Sequence, residues 1–216
     1  MNIYIIYLIC LLSGYLTGSI LFAYVITKLV KGEDIRDLGN NNPGAANTFK
    51  SIGNIWGILT GVLDSSKALV PMLIANYYFD ISSISLGLIG IGAIIGHCYP
   101  IYFGFKGGRA AATLMGLYLF FIPYELLTAF VVIPLIVFIL IKTNRSYWIP
   151  FGIISFSAVL CLFFNHTVDV KIIVFVAGFV GLLFNRNYFP TMLKNLLRNS
   201  TLRNVIVTIS ILLYNL

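Results

Sequence analysis

Residues 31–54, KGEDIRDLGNNNPGAANTFKSIGN, form a polar island in a chain that is otherwise almost continuously apolar. We call this segment the first polar island. Charged residues open it, and the part from Gly39 to Asn47 holds four asparagines, two glycines and a proline. Long apolar runs on both sides of such a segment predict helices that cross a membrane, joined by a polar loop at the membrane surface. The island therefore indicates a membrane helix bundle.

The composition predicts the same fold class. Of the 216 residues, 59% are hydrophobic and 10% are charged, whereas a soluble domain carries about 25% charged residues. So few charges cannot cover a surface in water, which excludes a soluble globular protein. The formal net charge of +7 is typical of loops on the cytoplasmic side of a membrane, so we do not expect nucleic acid as a partner. We predict one all-α, polytopic membrane domain over residues 1–216.

Breaks in the apolar runs predict seven transmembrane helices with the N-terminus outside. The predicted spans are 3–27, 54–79, 84–98, 110–122, 126–141, 148–164 and 171–185. This orientation places twelve of the fourteen Lys and Arg residues on the cytoplasmic side, as the positive-inside rule requires. We expect a turn at Pro123-Tyr124-Glu125, and interfacial or short C-terminal helices over residues 188–216.

A second polar island, residues 104–113 (GFKGGRAAAT), is predicted at the same cytoplasmic face. Glycine and asparagine adopt left-handed backbone angles at low cost, and successive N–H groups in such turns bind anions. Neighbouring cations and a following helix N-terminus add to this attraction. We predict that both islands bind phosphate; the alternatives are a plain surface loop and a positively charged membrane anchor. The predicted phosphate-binding residues are Gly39, Asn41, Gly44, Asn47, Lys106, Gly107, Gly108 and Arg109.

Four polar residues in the predicted helices are further candidates. Ser19 could take part in chemistry, or could pack a helix and bond to its own backbone. His97 lies three residues before Pro100, so it is either a catalytic group or a helix-end cap. Asp64 and Lys67 share a helix face at i, i+3 and form either a packing clamp or a wall of a site. The residues alone leave these alternatives open.

Taken together, these motifs resemble the bacterial acyl-phosphate:glycerol-3-phosphate acyltransferase family over about residues 10–200. The matching stretches are Gly18-Ser19-Ile20, Phe22-Ala23-Tyr24, Asp34-Ile35-Arg36, Gly39 to Asn47, Asp64 with Lys67, Gly96 to Pro100, Phe105 to Gly108, and Ala112-Thr113. The resemblance implies transfer of a fatty acyl group from acyl phosphate to the 1-hydroxyl of glycerol 3-phosphate, which gives lysophosphatidate. It also implies a bacterial inner membrane, contacts with membrane lipids, and neither a cofactor nor a metal.

Roles for individual residues follow from this resemblance. Catalytic roles are expected for Ser19, Arg36 and His97. An acceptor site is expected among Asp64, Lys67, Asn185, Arg186 and Asn187.

Several positions depart from the family pattern. In the first polar island the family usually has Ser, Gly, Ile and Thr at the positions of Asn40, Asn41, Pro43 and Ala46. In the second it has Lys-Gly where this chain has Arg109-Ala110. Near the C-terminus, Phe189 and Met192 replace a His and an Asn, and Asn185-Arg186-Asn187 offers a polar substitute. The alternatives to an acyltransferase are therefore a non-catalytic relative that binds a lipid phosphate or a partner, and a small transporter.

Overall fold

The computed structural model describes residues 2–141 and 145–186, and these residues form helices without a β-strand. We number the helices in chain order: α1 (Ile3–Gly18), α2 (Phe22–Lys31), α3 (Ala45–Ser51), α4 (Asn54–Phe79), α5 (Ser83–Cys98), α6 (Ala111–Phe121), α7 (Pro123–Leu140), α8 (Arg145–Phe163) and α9 (Val168–Phe184). Short 3₁₀ turns occupy Ile35–Asp37 and Ile101–Phe103. The predicted all-α class is confirmed. The helices predicted for 188–216 lie outside the described residues.

The helices have the length and apolar surface of membrane spans. Four described stretches are long and apolar enough to cross a membrane: Ile3–Lys31, Asn54–Phe79, Ser83–Phe103 and Pro123–Leu140. Ala111–Phe121 and Trp148–Phe163 are apolar but shorter. Large apolar side chains are exposed along these helices, as on a surface that faces lipid. Each of the seven predicted spans falls on helix, so the membrane bundle is confirmed.

The first predicted span, 3–27, is divided in the structure. The break between α1 and α2 lies at Leu21, whose backbone is extended (φ −92°, ψ 92°). In an unbroken helix the carbonyl of Ile20 would accept from the N–H four residues on. Here it accepts from Nζ of Lys67 at 2.9 Å instead. A buried ammonium requires acceptors, and the break provides one.

The turn expected at Pro123-Tyr124-Glu125 is also displaced. The break between α6 and α7 falls on the single residue Ile122 (φ −137°, ψ 57°), and Pro123 begins α7. Proline is favourable at the first helical position because the N–H that it lacks would have no acceptor there. These three residues therefore start a helix.

Four glycines bring α1 and α5 into close contact. Gly14 and Gly18 lie on α1, and Gly92 and Gly96 lie on α5. A Cβ at any of the four would overlap the backbone of the opposite helix. Small residues four positions apart let membrane helices approach closely. This contact holds the end of α5, with His97, against the break between α1 and α2.

Candidate active site

A cavity of about 1040 Å³ lies among α4, α6, α7, α8 and α9. Apolar side chains line most of it, including Leu126, Phe130, Ile153, Phe175 and Phe179. Polar residues of the lining come from the two polar islands and from the helices beside them: Asn42, Gly44, Asp64, His97, Arg109 and Asn185. The cavity thus joins a polar end to an apolar chamber.

His97, in the last turn of α5, is 3% exposed. Its Nδ1 lies 2.6 Å from Nζ of Lys67, and this Nζ lies 3.0 Å from Oδ1 of Asp64. All three side chains are buried. Lys67 also binds the break after α1, and Asp64 lines the cavity. The pair thus joins α4 to the break between α1 and α2 beside the cavity.

The second polar island lies directly on His97. The N–H of Gly107 donates to the carbonyl of Cys98 (3.2 Å), and the N–H of Gly108 donates to the carbonyl of His97 (3.0 Å). A Cβ on Gly108 would overlap Nε2 of His97 and lie 2.9 Å from the carbonyl oxygen of Pro43. Glycine at position 108 is therefore required for close approach. The N–H groups of both glycines bind the end of α5.

Arg109 connects the second polar island to the cavity and to α9. Arg109 is one of the residues that line the cavity. Its carbonyl accepts from Nδ2 of Asn185 at 3.1 Å, and the same amide donates to the carbonyl of Gly181 at 2.7 Å. Ala110 then adopts a left-handed conformation (φ 55°) before α6 begins. Asn185 thereby brings the end of α9 to the polar end of the cavity.

The buried amide of Asn47 holds the first polar island together. Its Nδ2 donates to the carbonyls of Ile35 (3.2 Å) and Leu38 (2.9 Å). Its Oδ1 accepts from the N–H of Asn40 (3.2 Å) and from the hydroxyl of Ser51 (3.3 Å). Since two donated and two accepted hydrogen bonds use the capacity of an amide, Asn47 determines the shape of this island.

Left-handed residues complete the first polar island, as its composition predicts. Gly39 (φ 58°) and Asn41 (φ 60°) have positive φ angles. Nδ2 of Asn41 donates to the carbonyl of Arg36 at 2.6 Å. Gly44 is extended and precedes α3, and it lines the cavity beside Asn42. The middle of this island, rather than its start, therefore reaches the cavity.

Arg36 links the first polar island to the segment before the second. Its Nη2 lies 2.7 Å from Oδ2 of Asp34, and its Nη1 donates to the carbonyl of Phe103 at 3.1 Å. The side-chain hydrogen bond from Arg36 lowers the pKa of the Asp34 carboxyl below its usual value, so this carboxylate stays ionised. A guanidinium has five N–H donors and this side chain is 27% exposed. Arg36 therefore has donors left for an anion.

Ser19 is fully buried at the end of α1. Its hydroxyl donates to the carbonyl of Tyr15 (2.7 Å) and accepts from the N–H of Ile101 (3.4 Å). In this structure the hydroxyl joins the end of α1 to the 3₁₀ turn that follows α5.

The structure thus separates the predicted site residues into groups. Those that line the cavity are Gly44, Asp64, His97, Arg109 and Asn185. Those that contact or support this set are Ser19, Arg36, Gly39, Asn41, Asn47, Lys67, Gly107 and Gly108. Lys106 and Arg186 are exposed outside the cavity lining, and Asn187 lies outside the described residues.

Sequence reasoning missed several polar residues of the cavity lining, among them Asn42, Ser65 and Ser66. Asn42 belongs to the same asparagine run as the predicted residue Asn41, and the two serines directly follow Asp64. Their position next to residues already predicted for the site was the signal that could have identified them.

A family model described as "Glycerol-3-phosphate acyltransferase" matches residues 8–195, which include both polar islands and the end of α9. The chain belongs to this family. The resemblance drawn from the motifs is therefore confirmed.

Individual members of the glycerol-3-phosphate acyltransferase family agree over different lengths. The glycerol-3-phosphate acyltransferase of Syntrophotalea carbinolica is 43% identical over 129 residues, which cover 60% of this chain and 66% of that protein, just under two thirds of its length. Glycerol-3-phosphate acyltransferase 1 of Dehalococcoides mccartyi is 32% identical over 198 residues, covering 91% of this chain and 94% of that protein.

Two solved structures of this family have the same fold. Both are crystal structures of PlsY, an integral membrane glycerol 3-phosphate acyltransferase. Its glycerol 3-phosphate form has a TM-score of 0.77 and 31% sequence identity, and covers 93% of this chain and 98% of that chain. Its lysophosphatidic acid form has a TM-score of 0.76 and 29% identity.

Proposed function

We propose that this protein transfers a fatty acyl group from acyl phosphate to the 1-hydroxyl of glycerol 3-phosphate, for phospholipid synthesis in the plasma membrane of a bacterium. Membership of the family supports acyl transfer to glycerol 3-phosphate. The observation that carries the proposal is the cavity, whose apolar chamber adjoins a polar end that contains Arg109.

An acyl phosphate matches this cavity in its two parts. Its hydrocarbon chain is stabilised by burial among apolar side chains such as Phe130 and Phe179. Its phosphate is stabilised by a guanidinium, which binds phosphate oxygens through paired N–H groups. Membrane lipids surround the bundle, and the donor enters the chamber from them. A volume of about 1040 Å³ is large for a small polar substrate and suits a ligand with a long chain.

The reaction does not require a covalent enzyme nucleophile, because an acyl phosphate is a mixed anhydride with a good leaving group. The hydroxyl oxygen of glycerol 3-phosphate forms a bond to the carbonyl carbon, and the bond from that carbon to the phosphate oxygen breaks. The hydroxyl proton is transferred to the phosphate product. The protein contributes by holding two phosphorylated substrates in contact and by stabilising charge on their oxygens.

Several of the predicted site residues take roles in this scheme. Arg109 binds phosphate in the cavity, and Arg36 supplies a second cation at the edge of the first polar island. Asp64 and Asn185 form the wall at which glycerol 3-phosphate is accepted. Ser19 and the remaining residues of the two islands hold this arrangement in place through the hydrogen bonds described above.

The test uses purified protein in lipid nanodiscs with palmitoyl phosphate and radiolabelled glycerol 3-phosphate. We expect labelled lysophosphatidate with acyl phosphate as donor, and none with acyl-coenzyme A or acyl carrier protein. We expect Arg109→Ala to reduce the rate by roughly 10²-fold, the effect of removing one stabilising donor. Lys171→Ala is the matched control, since it removes a cation from the other end of α9. Folded wild-type protein that forms no lysophosphatidate would contradict the proposal and favour the non-catalytic relative.

A further inference from the structure

The ammonium of Lys67 is surrounded by three acceptors from three parts of the chain. Nζ lies 2.9 Å from the carbonyl oxygen of Ile20, 3.0 Å from Oδ1 of Asp64 and 2.6 Å from Nδ1 of His97. Lys67 is 4% exposed and Asp64 is 1% exposed. An ammonium has three N–H groups and no acceptor, so this environment is fitted to the charged form of the lysine.

The contact with Lys67 fixes the position of the proton on His97. Because an ammonium can only donate, Nδ1 of His97 must accept, and the ring is neutral with its proton on Nε2. Hydrogen bonding at one ring nitrogen commonly selects the tautomer in this way. Lys67 therefore gives His97 a donor at Nε2 and occupies the lone pair at Nδ1.

The donor at Nε2 is located at the polar end of the cavity. His97 lines this cavity, and the backbone of Gly108 lies so close to Nε2 that a Cβ there would overlap it. Among the described residues Nε2 has no hydrogen-bond partner. The absence of a Cβ at position 108 thus leaves space beside Nε2 for a substrate oxygen.

We propose that His97 donates a hydrogen bond from Nε2 to an anionic oxygen of the reacting acyl phosphate, and that Lys67 is the positioning residue that imposes this tautomer. This inference rests on the proposed function. It assigns His97 to charge stabilisation and excludes it as the general base, because Nε2 already carries a proton and Nδ1 is engaged by Lys67. Asp64 acts one step further away by holding the ammonium.

The first test reads the tautomer directly and does not depend on activity. The chain contains two histidines, so NMR of protein labelled with nitrogen-15 histidine gives few signals, and those lost in His97→Gln belong to His97. We expect Nε2 to be protonated and Nδ1 unprotonated. The paired variant Asp64→Asn with Lys67→Met, which leaves no buried charge unpaired, should yield a mixture of tautomers. A proton on Nδ1 in the wild type, or an unchanged spectrum in the paired variant, would overturn the inference.

The second test compares two amides that occupy different positions of the imidazole ring. The amide nitrogen of glutamine lies near Nε2, whereas the amide of asparagine lies near Nδ1 and can still accept from Lys67. We expect His97→Gln to stay within about tenfold of the wild-type rate. We expect His97→Asn to lose roughly 10²–10³-fold in kcat, the effect of removing an oxyanion donor, at an unchanged temperature of unfolding.

The two amides also separate this inference from the proposed function. A wild-type protein that is inactive contradicts the proposed function, while the NMR measurement still decides the tautomer. An active wild type with His97→Gln as slow as His97→Asn contradicts the donor role, because a general base is lost equally in both variants.

Discussion

The two polar islands have similar compositions but stabilise different parts of the site. In the first, the buried amide of Asn47 binds a backbone carbonyl of its own island. The guanidinium of Arg36 binds the carbonyl of Phe103, just before the second island. In the second, the backbone of Gly108 lies on His97, and Arg109 lines the cavity. Most of the first island is therefore a scaffold, whereas the second island places Arg109 at the cavity.

This difference shows that glycine, asparagine and basic residues do not by themselves define a phosphate site. A side chain whose hydrogen-bonding groups are already used, such as that of Asn47, has little capacity left for a ligand. A glycine such as Gly108 contributes through the space that its missing Cβ leaves, because neighbouring groups can then approach closely. The following predictions test this distinction, beginning with the largest expected effect.

Replacing Gly108 with alanine should abolish most acyl transfer. The new Cβ would overlap Nε2 of His97, and displacing a reacting group by about 1 Å costs roughly 10²-fold in rate. The measurement is kcat with palmitoyl phosphate and glycerol 3-phosphate. Gly104→Ala is the control, because no heavy atom lies within 4 Å of its added Cβ and only the positive φ of 65° causes strain. Equal rates in the two variants would contradict the steric role of position 108.

Arg109→Ala and Arg36→Ala should both reduce acyl transfer by roughly 10²-fold. Arg36 also binds Asp34 and the carbonyl of Phe103, so Arg36→Ala should lower the temperature of unfolding as well. Rate and unfolding temperature are measured on the same purified protein. An Arg36→Ala protein as stable as the wild type would contradict the scaffolding role of the first island.

Asn47→Leu should lower the free energy of unfolding by about 2 kcal/mol, because it leaves the carbonyls of Ile35 and Leu38 without their donor. Asn40→Ala, at an exposed position of the same island, should change it by less than about 0.5 kcal/mol. Chemical unfolding in detergent measures both. A fully stable Asn47→Leu protein with reduced phosphate affinity would instead make Asn47 a direct ligand of phosphate.

The smallest effect concerns the pH dependence that Asp34 gives to the first island. Because Arg36 lowers its pKa below the usual 3.8, ionised Asp34 stabilises the folded state at pH values above that usual value. This contribution is lost as the pH falls through the lowered pKa. The difference in unfolding temperature between wild type and Asp34→Asn should therefore be present at neutral pH and disappear in acid. Salt should weaken the Asp34 effect, and a difference that persists unchanged in acid would contradict this assignment.

The sequence predicted the helices better than their ends. Apolar runs place the spans because only helices satisfy every backbone group inside a bilayer. The break at Leu21 was missed because it depends on Lys67, which lies far away in the sequence and takes the carbonyl of Ile20. The start of α7 was misplaced because Pro123 fits either a turn or a first helical position.

The sequence by itself determined the fold class of the protein and the kind of chemistry that its motifs support. Apolar runs separated by two polar islands specify a membrane bundle, and the order of their motifs specifies the family, because both are properties of the linear pattern. Only the tertiary structure decided which polar groups face the cavity. The amide of Asn47 makes its hydrogen bonds inside its own island, whereas His97 is oriented by Lys67 from another helix. Three-dimensional contacts decide which partner each hydrogen-bonding group has, and those contacts join residues that lie far apart in the sequence.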